Sequence, residues 1–303
     1  MRKSVMRKAL CLIALLVAAP ADAAESEREL VIDGRVALAT LRTPDGAVRP
    51  PLAIVTHGTL AHKDMETVVT LSKALAEKGV ATLAHNLTLG QDRRRGMYDC
   101  ATPHDHRPDD AMIEIGAWIA EARKLGYDRI WLVGHSRGAN QVARTLAARG
   151  GEGLAGAALL APSTAASEQK SIAAYGQTYG GDLAALTARA REMLAAGRGG
   201  ETMALPGFLY CRDARATARA FLAAYGPDQG RDTAALVAQL NLPLLVLAAA
   251  NDAVVADVRE AFAPVAARGR DLRVETIDGA DHFFLDLAGE DAADRIAAFI
   301  AGK

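Results

Sequence analysis

Five segments of the chain are apolar almost without interruption and have the length of a strand: LAIVTHG from Leu52, VATLAHN from Val80, RIWLV from Arg129, LAGAALLAP from Leu154 and LPLLVLAAA from Leu242. A strand with one wet face alternates apolar and polar residues. Continuous runs instead suit parallel strands covered by helices on both faces. Between the runs the spacing turns helical. Residues 65–78 form one candidate helix, ended by Gly79. Pro108 opens another, with Asp109 and Asp110 in its first turn and Met112, Ile115, Ile119 and Ala122 along one face. Residues 30–33 and 35–42 read as a strand pair around Gly34, Pro44-Asp45-Gly46 as a turn, and residues 272–277 as the last strand. The alternation predicts an α/β protein with a mainly parallel sheet.

Two stretches break the rhythm. Residues 86–107 read as a long loop. Between Pro162 and Asn241 no comparable strand-like run occurs, whereas residues 182–196 and 213–225 have helical spacing, the latter stopped by Gly226-Pro227. This predicts a helical insertion on the rim of the sheet. Without internal repeats or low-complexity linkers, residues 24–303 are expected to form one domain.

Composition fits an ordinary globular chain of 303 residues, half of them hydrophobic, with 35 Lys+Arg against 36 Asp+Glu. The near-cancelling charge, broken only by the short Arg93-Arg94-Arg95 run, argues against a nucleic-acid partner. A solvated loop is the simpler reading of those arginines than attraction of an acidic substrate. The first residues form a separate unit. MRKSVMRK is basic, residues 10–19 are apolar, and Ala21 and Ala23 are the small residues of a cleavage site. Residues 1–23 are therefore expected to be a secretory signal, with export to the periplasm or beyond. A retained anchor would need about 20 apolar residues. Cys11 would leave with the signal, and Cys100 and Cys211 would remain in a compartment where disulfides persist.

The chemistry concentrates after the third apolar run. Ser136 sits where the strand at 130–133 gives way to a helix at 137–149, with Gly134 and Gly138 on either side. So sharp a turn leaves no room for side chains at the two flanking positions. It also lifts the hydroxyl above the sheet edge, beside a helix N-terminus that favours negative charge. The pentapeptide Gly134-His135-Ser136-Arg137-Gly138 resembles the nucleophile elbow of the α/β-hydrolase family, and the likeness extends from about residue 30 to the C-terminus. The resemblance implies the α/β-hydrolase fold, a mainly parallel central sheet flanked by helices, with residues 163–240 in the place of a lid.

A serine hydroxyl needs a base to take its proton and an acid to orient that base. In the family's order these follow as acid and then histidine, which implies Asp252, just past LPLLVLAAAND, and His282, in the loop DGADHFFLD. Asp278 and Asp281 compete but lie too near the histidine in the chain. His135 is expected to point away from the serine, and His85 to make a structural hydrogen bond. His104 and His106 have a spacing open to a metal, though a polar loop rim is the simpler reading. The resemblance also implies an oxyanion hole of the backbone N–H groups of Thr59, after His57-Gly58, and Arg137.

The expected activity is that of an exported serine esterase or related acyl hydrolase, without cofactor or metal, acting on a small-molecule acyl substrate and without a stable membrane anchor. Amide, lactone or acyl-transfer chemistry on the same triad, and a catalytically silent binding protein, are the alternatives. Cys100 lies in the loop after VATLAHN and Cys211 in the insertion, so both are expected at the rim of the site and within reach of a disulfide.

Overall fold

The computed structural model of the protein describes residues 24–269 and 271–303. The expected signal, residues 1–23 with Cys11, lies outside them. The chain begins with β1 (Ala24–Ile32), β2 (Arg35–Thr43) and β3 (Leu52–Thr56), followed by α1 (Glu66–Glu77) and β4 (Ala81–His85). After a loop come α2 (Pro108–Lys124), β5 (Ile130–His135), α3 (Arg137–Arg149) and β6 (Gly156–Leu160). The insertion contains α4 (Ala165–Ala173), α5 (Tyr175–Tyr179), α6 (Leu183–Ala195), β7 (Thr202–Phe208), β8 (Cys211–Thr217), α7 (Ala218–Tyr225) and α8 (Thr233–Val237). The chain then returns through β9 (Leu244–Ala249), α9 (Val258–Ala266), β10 (Leu272–Ile277) and α10 (Leu287–Ala301).

The main sheet has the order β1-β2-β4-β3-β5-β6-β9-β10. From β4 to β10 every neighbour is parallel, while β1 and β2 form an antiparallel edge. Alternate side chains of the unbroken apolar strands serve opposite cores. Leu52, Ile54 and Leu132 pack with Ile115 and Trp118 of α2 and Val142 and Leu146 of α3. Ala53, Val55 and Val133 pack with Leu71 and Leu75 of α1 and Ile296 and Phe299 of α10. Covering both faces is what lets these strands omit the alternation of polar residues. Edge strand β1 is half exposed, and it extends back to Ala24 because its backbone pairs with β2 as far as Thr43.

The insertion departs from the helical expectation. Residues 202–217 form an antiparallel hairpin, so the helix anticipated from residue 213 begins only at Ala218, capped by Thr217 Oγ1 accepting from Ala220 N at 3.2 Å. Met203, Leu205, Ala214 and Ala216 point into a third, smaller core together with Leu60, Leu87 and Tyr98. The inward positions of β8 are alanines, so its two-residue period was faint. The loop before α2 is sewn to this hairpin. His104 N donates to Arg215 O at 2.8 Å, Thr217 N donates to His104 O at 2.9 Å, and Cys100 and Cys211 form a disulfide with Cα atoms 5.3 Å apart.

Two readings of that loop are corrected by the packing. His104 is buried rather than rim-exposed, stacked on Tyr98 with ring centroids 4.3 Å apart. Of the three arginines, Arg93 and Arg95 pair at the surface with Glu29 and Glu27 of β1, but Arg94 is buried. Among the described residues no group of three or more His, Cys, Asp or Glu is placed to hold a metal ion, and no helix is long and apolar enough to cross a membrane.

Candidate active site

Ser136 occupies the junction of β5 and α3 with φ 56° and ψ −124°, a conformation rarely adopted by a residue with a side chain. The flanking glycines make it possible. A Cβ on Gly134 would lie 2.6 Å from the backbone of Ala139, and one on Gly138 would lie 2.4 Å from the carbonyl oxygen of His57. The turn therefore closes only because both positions lack a side chain.

His282 and Asp252 converge on this serine from the loops that follow β10 and β9. Ser136 Oγ lies 2.9 Å from His282 Nε2, and His282 Nδ1 lies 2.8 Å from Asp252 Oδ2. The carboxylate can only accept, so Nδ1 carries the proton and Nε2 is left to accept from the serine. The other carboxylate oxygen of Asp252 accepts from Val254 N at 2.7 Å and Val255 N at 2.8 Å. Burial alone would raise this carboxyl, but the hydrogen bonds from His282, Val255 and Val254 outweigh it and hold it below the usual carboxylate range. Of the competing acids, Asp281 accepts from Phe283 N at 2.9 Å, and Asp278 is exposed.

Two further histidines support the scaffold. His135 Nε2 donates to the carbonyl of His282 at 2.7 Å, away from the serine hydroxyl, and burial keeps it neutral with a pKa lowered to about 4. His85 Nε2 bonds Thr56 Oγ1 at 3.0 Å and is likewise lowered to about 4 by burial.

Thr59 and Arg137 face one another across the site, with Arg137 Nε donating to Thr59 Oγ1 at 3.1 Å. Among the described residues neither backbone N–H is committed to a backbone carbonyl. The orientation of Thr59 N–H is set by residues that sequence reasoning did not single out. His57 Nδ1 donates to Gly58 O at 2.8 Å, and its Nε2 accepts from Leu87 N at 3.1 Å and from Arg94 Nη2 at 3.0 Å. Two donors on Nε2 fix the tautomer, and burial pushes the ring's pKa well below its ordinary value. In a trans peptide the C=O and the following N–H point in opposite directions, so anchoring Gly58 O aims Thr59 N–H the other way. The adjacent His57-Gly58 pair hinted at this role, whereas Arg94 gave no signal of its own.

Two cavities adjoin the Thr59–Arg137 pair. A narrow slot of about 30 Å³ is walled by Leu87 and Leu89 on the core side and Phe208 and Leu209 on the insertion side, with His106 at its edge. A wider cavity of about 250 Å³ lies under α4 and is lined by Glu168, Ile172, Tyr179 and Tyr225.

Residues 53–299 match the alpha/beta hydrolase family. The chain belongs to that family. Among solved structures it is similar to Est1E from Butyrivibrio proteoclasticus with ferulic acid bound, at 21% identity over 91% of this chain and 98% of that one, with a TM-score of 0.63. It is also similar to the Pyrococcus furiosus esterase Pf2001, at 14% identity over 92% and 93% of the two chains, TM-score 0.60. A thioesterase domain from the curacin biosynthetic pathway follows, at 17% identity over 92% and 99%, TM-score 0.55. At these identities the likenesses establish a shared fold. No curated protein matches the sequence.

Proposed function

We propose that this alpha/beta hydrolase is a serine hydrolase that cleaves carboxylic esters through an acyl-enzyme, with Ser136 as nucleophile, His282 as general base and Asp252 as the acid that orients it. The observation carrying this reading is the continuous chain Ser136–His282–Asp252, in which Asp252 accepts and so leaves Nε2 free to take the serine proton. Ser136 Oγ attacks the acyl carbon while its proton passes to His282 Nε2. The carbonyl oxygen becomes an alkoxide opposite the N–H groups of Thr59 and Arg137. Collapse expels the alcohol, which takes the proton from His282. Water then gives a proton to the same nitrogen as it attacks the acyl-enzyme, releasing the acid and restoring the serine. Esterase neighbours support an ester over an amide or a lactone as substrate.

We further propose that residues 24–303 act as one catalytic unit after export, with residues 163–240 as its lid. The basic, apolar and small-residue succession of residues 1–23 supports export, as does the Cys100–Cys211 disulfide. The test is a fluorophosphonate probe on mature protein together with a panel of esters, thioesters, lactones and peptide amides. Labelling with fastest turnover of the esters is expected. A protein that neither labels nor hydrolyses any of them is a binding protein, and the reading fails.

A further inference from the structure

Among the described residues His104 and His106 belong to no group of three or more metal-ligating side chains, and they lie outside the proposed triad, yet His106 borders the narrow slot beside Thr59 and Arg137. Their mutual bond determines what His106 can offer a ligand. His104 Nδ1 and His106 Nε2 lie 3.3 Å apart, so one nitrogen donates to the other. His104 Nε2 is buried without a partner. If His106 donated, His104 would carry its proton on that orphaned nitrogen, and a buried N–H without an acceptor costs more than an unmatched lone pair. If His104 Nδ1 donates, only a lone pair is left unmatched. His106 must then carry its own proton on Nδ1, which has no hydrogen-bond partner among the described residues.

Both rings are held neutral. Burial lowers His104 to about 4, and burial followed by the charge of neighbouring groups lowers His106 to about 3. His106 is also fixed in place. His104 is stacked on Tyr98, packs against Phe208 at 4.7 Å between ring centroids, and is tied by its backbone to the hairpin. An apolar slot between Leu87, Leu89, Phe208 and Leu209 thus carries at its edge, besides the flexible amide of Gln141 and the hydroxyl of Thr59, a neutral ring donor whose proton position is preset.

We propose that His106 is a specificity-determining residue that donates from Nδ1 to an acceptor oxygen in the substrate's acyl group, so that the enzyme favours short oxygen-bearing acyl chains over all-carbon chains of the same size. The proposal rests on the serine-esterase reading above. An apolar slot rewards bulk, but it separates isosteres only weakly unless a fixed polar group is left unpaired by the wrong one.

The test compares kcat/KM for matched 4-nitrophenyl esters: methoxyacetate with butyrate, and 3-methoxypropionate with valerate. Intrinsic reactivity cancels when the oxygen-to-carbon ratio of a variant is divided by that of the native enzyme. For His106→Phe at least one ratio is expected to fall about tenfold, the worth of one hydrogen bond in a largely dry slot. His106→Gln, which keeps an N–H donor, should recover most of it. Equal ratios in native and Phe enzymes overturn the proposal. A second measurement needs no variant: nitrogen-detected NMR of the native protein should find His106 protonated on Nδ1, and a proton on Nε2 overturns it as well. A native protein inert to fluorophosphonate and to all four esters instead sinks the esterase reading, and the NMR result still decides the tautomer.

Discussion

Ser136 is held in backbone strain of about 1–3 kcal/mol by its surroundings. Its N–H donates to Leu160 O at 2.8 Å, so strand β6 pins the turn from the side. Alanine adopts the same backbone, and Ser136→Ala should therefore fold as the native protein does. It should lose fluorophosphonate labelling, and kcat should fall by roughly 10⁶-fold, as for other triads that lose the nucleophile. Native-like turnover in that variant would defeat the mechanism. The proposed oxyanion donors, the N–H groups of Thr59 and Arg137, need a different test, because they are backbone groups that side-chain substitution leaves in place. Arg94 offers one. Replacing it with Met removes one of the two donors to His57 Nε2 and leaves Leu87 N–H alone to hold the ring, which loosens the bond anchoring Gly58 O. Complete loss of an oxyanion donor costs about 10²–10³-fold in rate. Arg94→Met should lower kcat by part of that, about 10- to 100-fold, with little change in KM. An unchanged kcat would dissociate Arg94 from the site. The contrast with Ser136 explains what the residues disclosed beforehand. Ser136, Asp252 and His282 stand in a fixed order on recognisable strand ends. Arg94 acts through a buried contact 37 residues away in sequence, and its triplet looked like any solvated charge run.

At the scale of elements, legibility followed the strength of the period. The parallel strands and the amphipathic helices α1, α2 and α3 matched their patterns, because burial on two faces or one stripe leaves a direct trace in sequence. Hairpin β7–β8 left little, since alanine serves helix and strand alike and its inward positions in β8 are small. Element packing also hides a titrating group. Glu114 of α2 is buried under the loop after β4, its carboxyl accepting from Thr88 N at 2.7 Å and paired with Thr88 Oγ1 at 2.6 Å. Burial raises its pKa to about 7, against the hydrogen bonds from Thr88 and the charge of Arg94, from about 4.3 in an unfolded chain. Between those values the folded protein holds a proton that the unfolded chain has released. Stability attributable to Glu114 is therefore greatest at low pH, falls as pH rises through this window and levels off above about 7, by at most about 4 kcal/mol. Glu114→Gln keeps both an acceptor for the amide and a partner for the hydroxyl, so it should flatten this slope. Urea midpoints from pH 5 to 8 for both proteins check it, and parallel curves would rule out Glu114 as the source.

For the whole molecule, the question is how firmly the insertion is held over a site to which it supplies none of Ser136, Asp252 and His282. Cys100 and Cys211, 111 positions apart, close a segment spanning α2, β5, α3 and β6 as well as more than half of the insertion. The chain-entropy model assigns such a bond on the order of 4–5 kcal/mol, although measured gains are often smaller. The same junction has non-covalent ties. Thr217 Oγ1 donates to Asp105 at 2.7 Å, and Arg219 pairs with the same carboxylate. These surface bonds are individually weak, so reduction should loosen the junction without releasing it. Reduction, or Cys100→Ser with Cys211→Ser, should lower Tm by about 10 °C if most of the entropic term is realised. Hydrolysis of a small acetyl ester should persist within a few-fold, because all three triad residues lie outside the bridged hairpin. Discrimination between the oxygen-bearing and all-carbon esters should weaken more than the acetyl ester rate, since Phe208, Leu209 and the loop bearing His106 form walls of one slot across that bond. Equal melting of oxidised and reduced protein, with alkylation confirming the reduction, would show that packing alone secures the insertion.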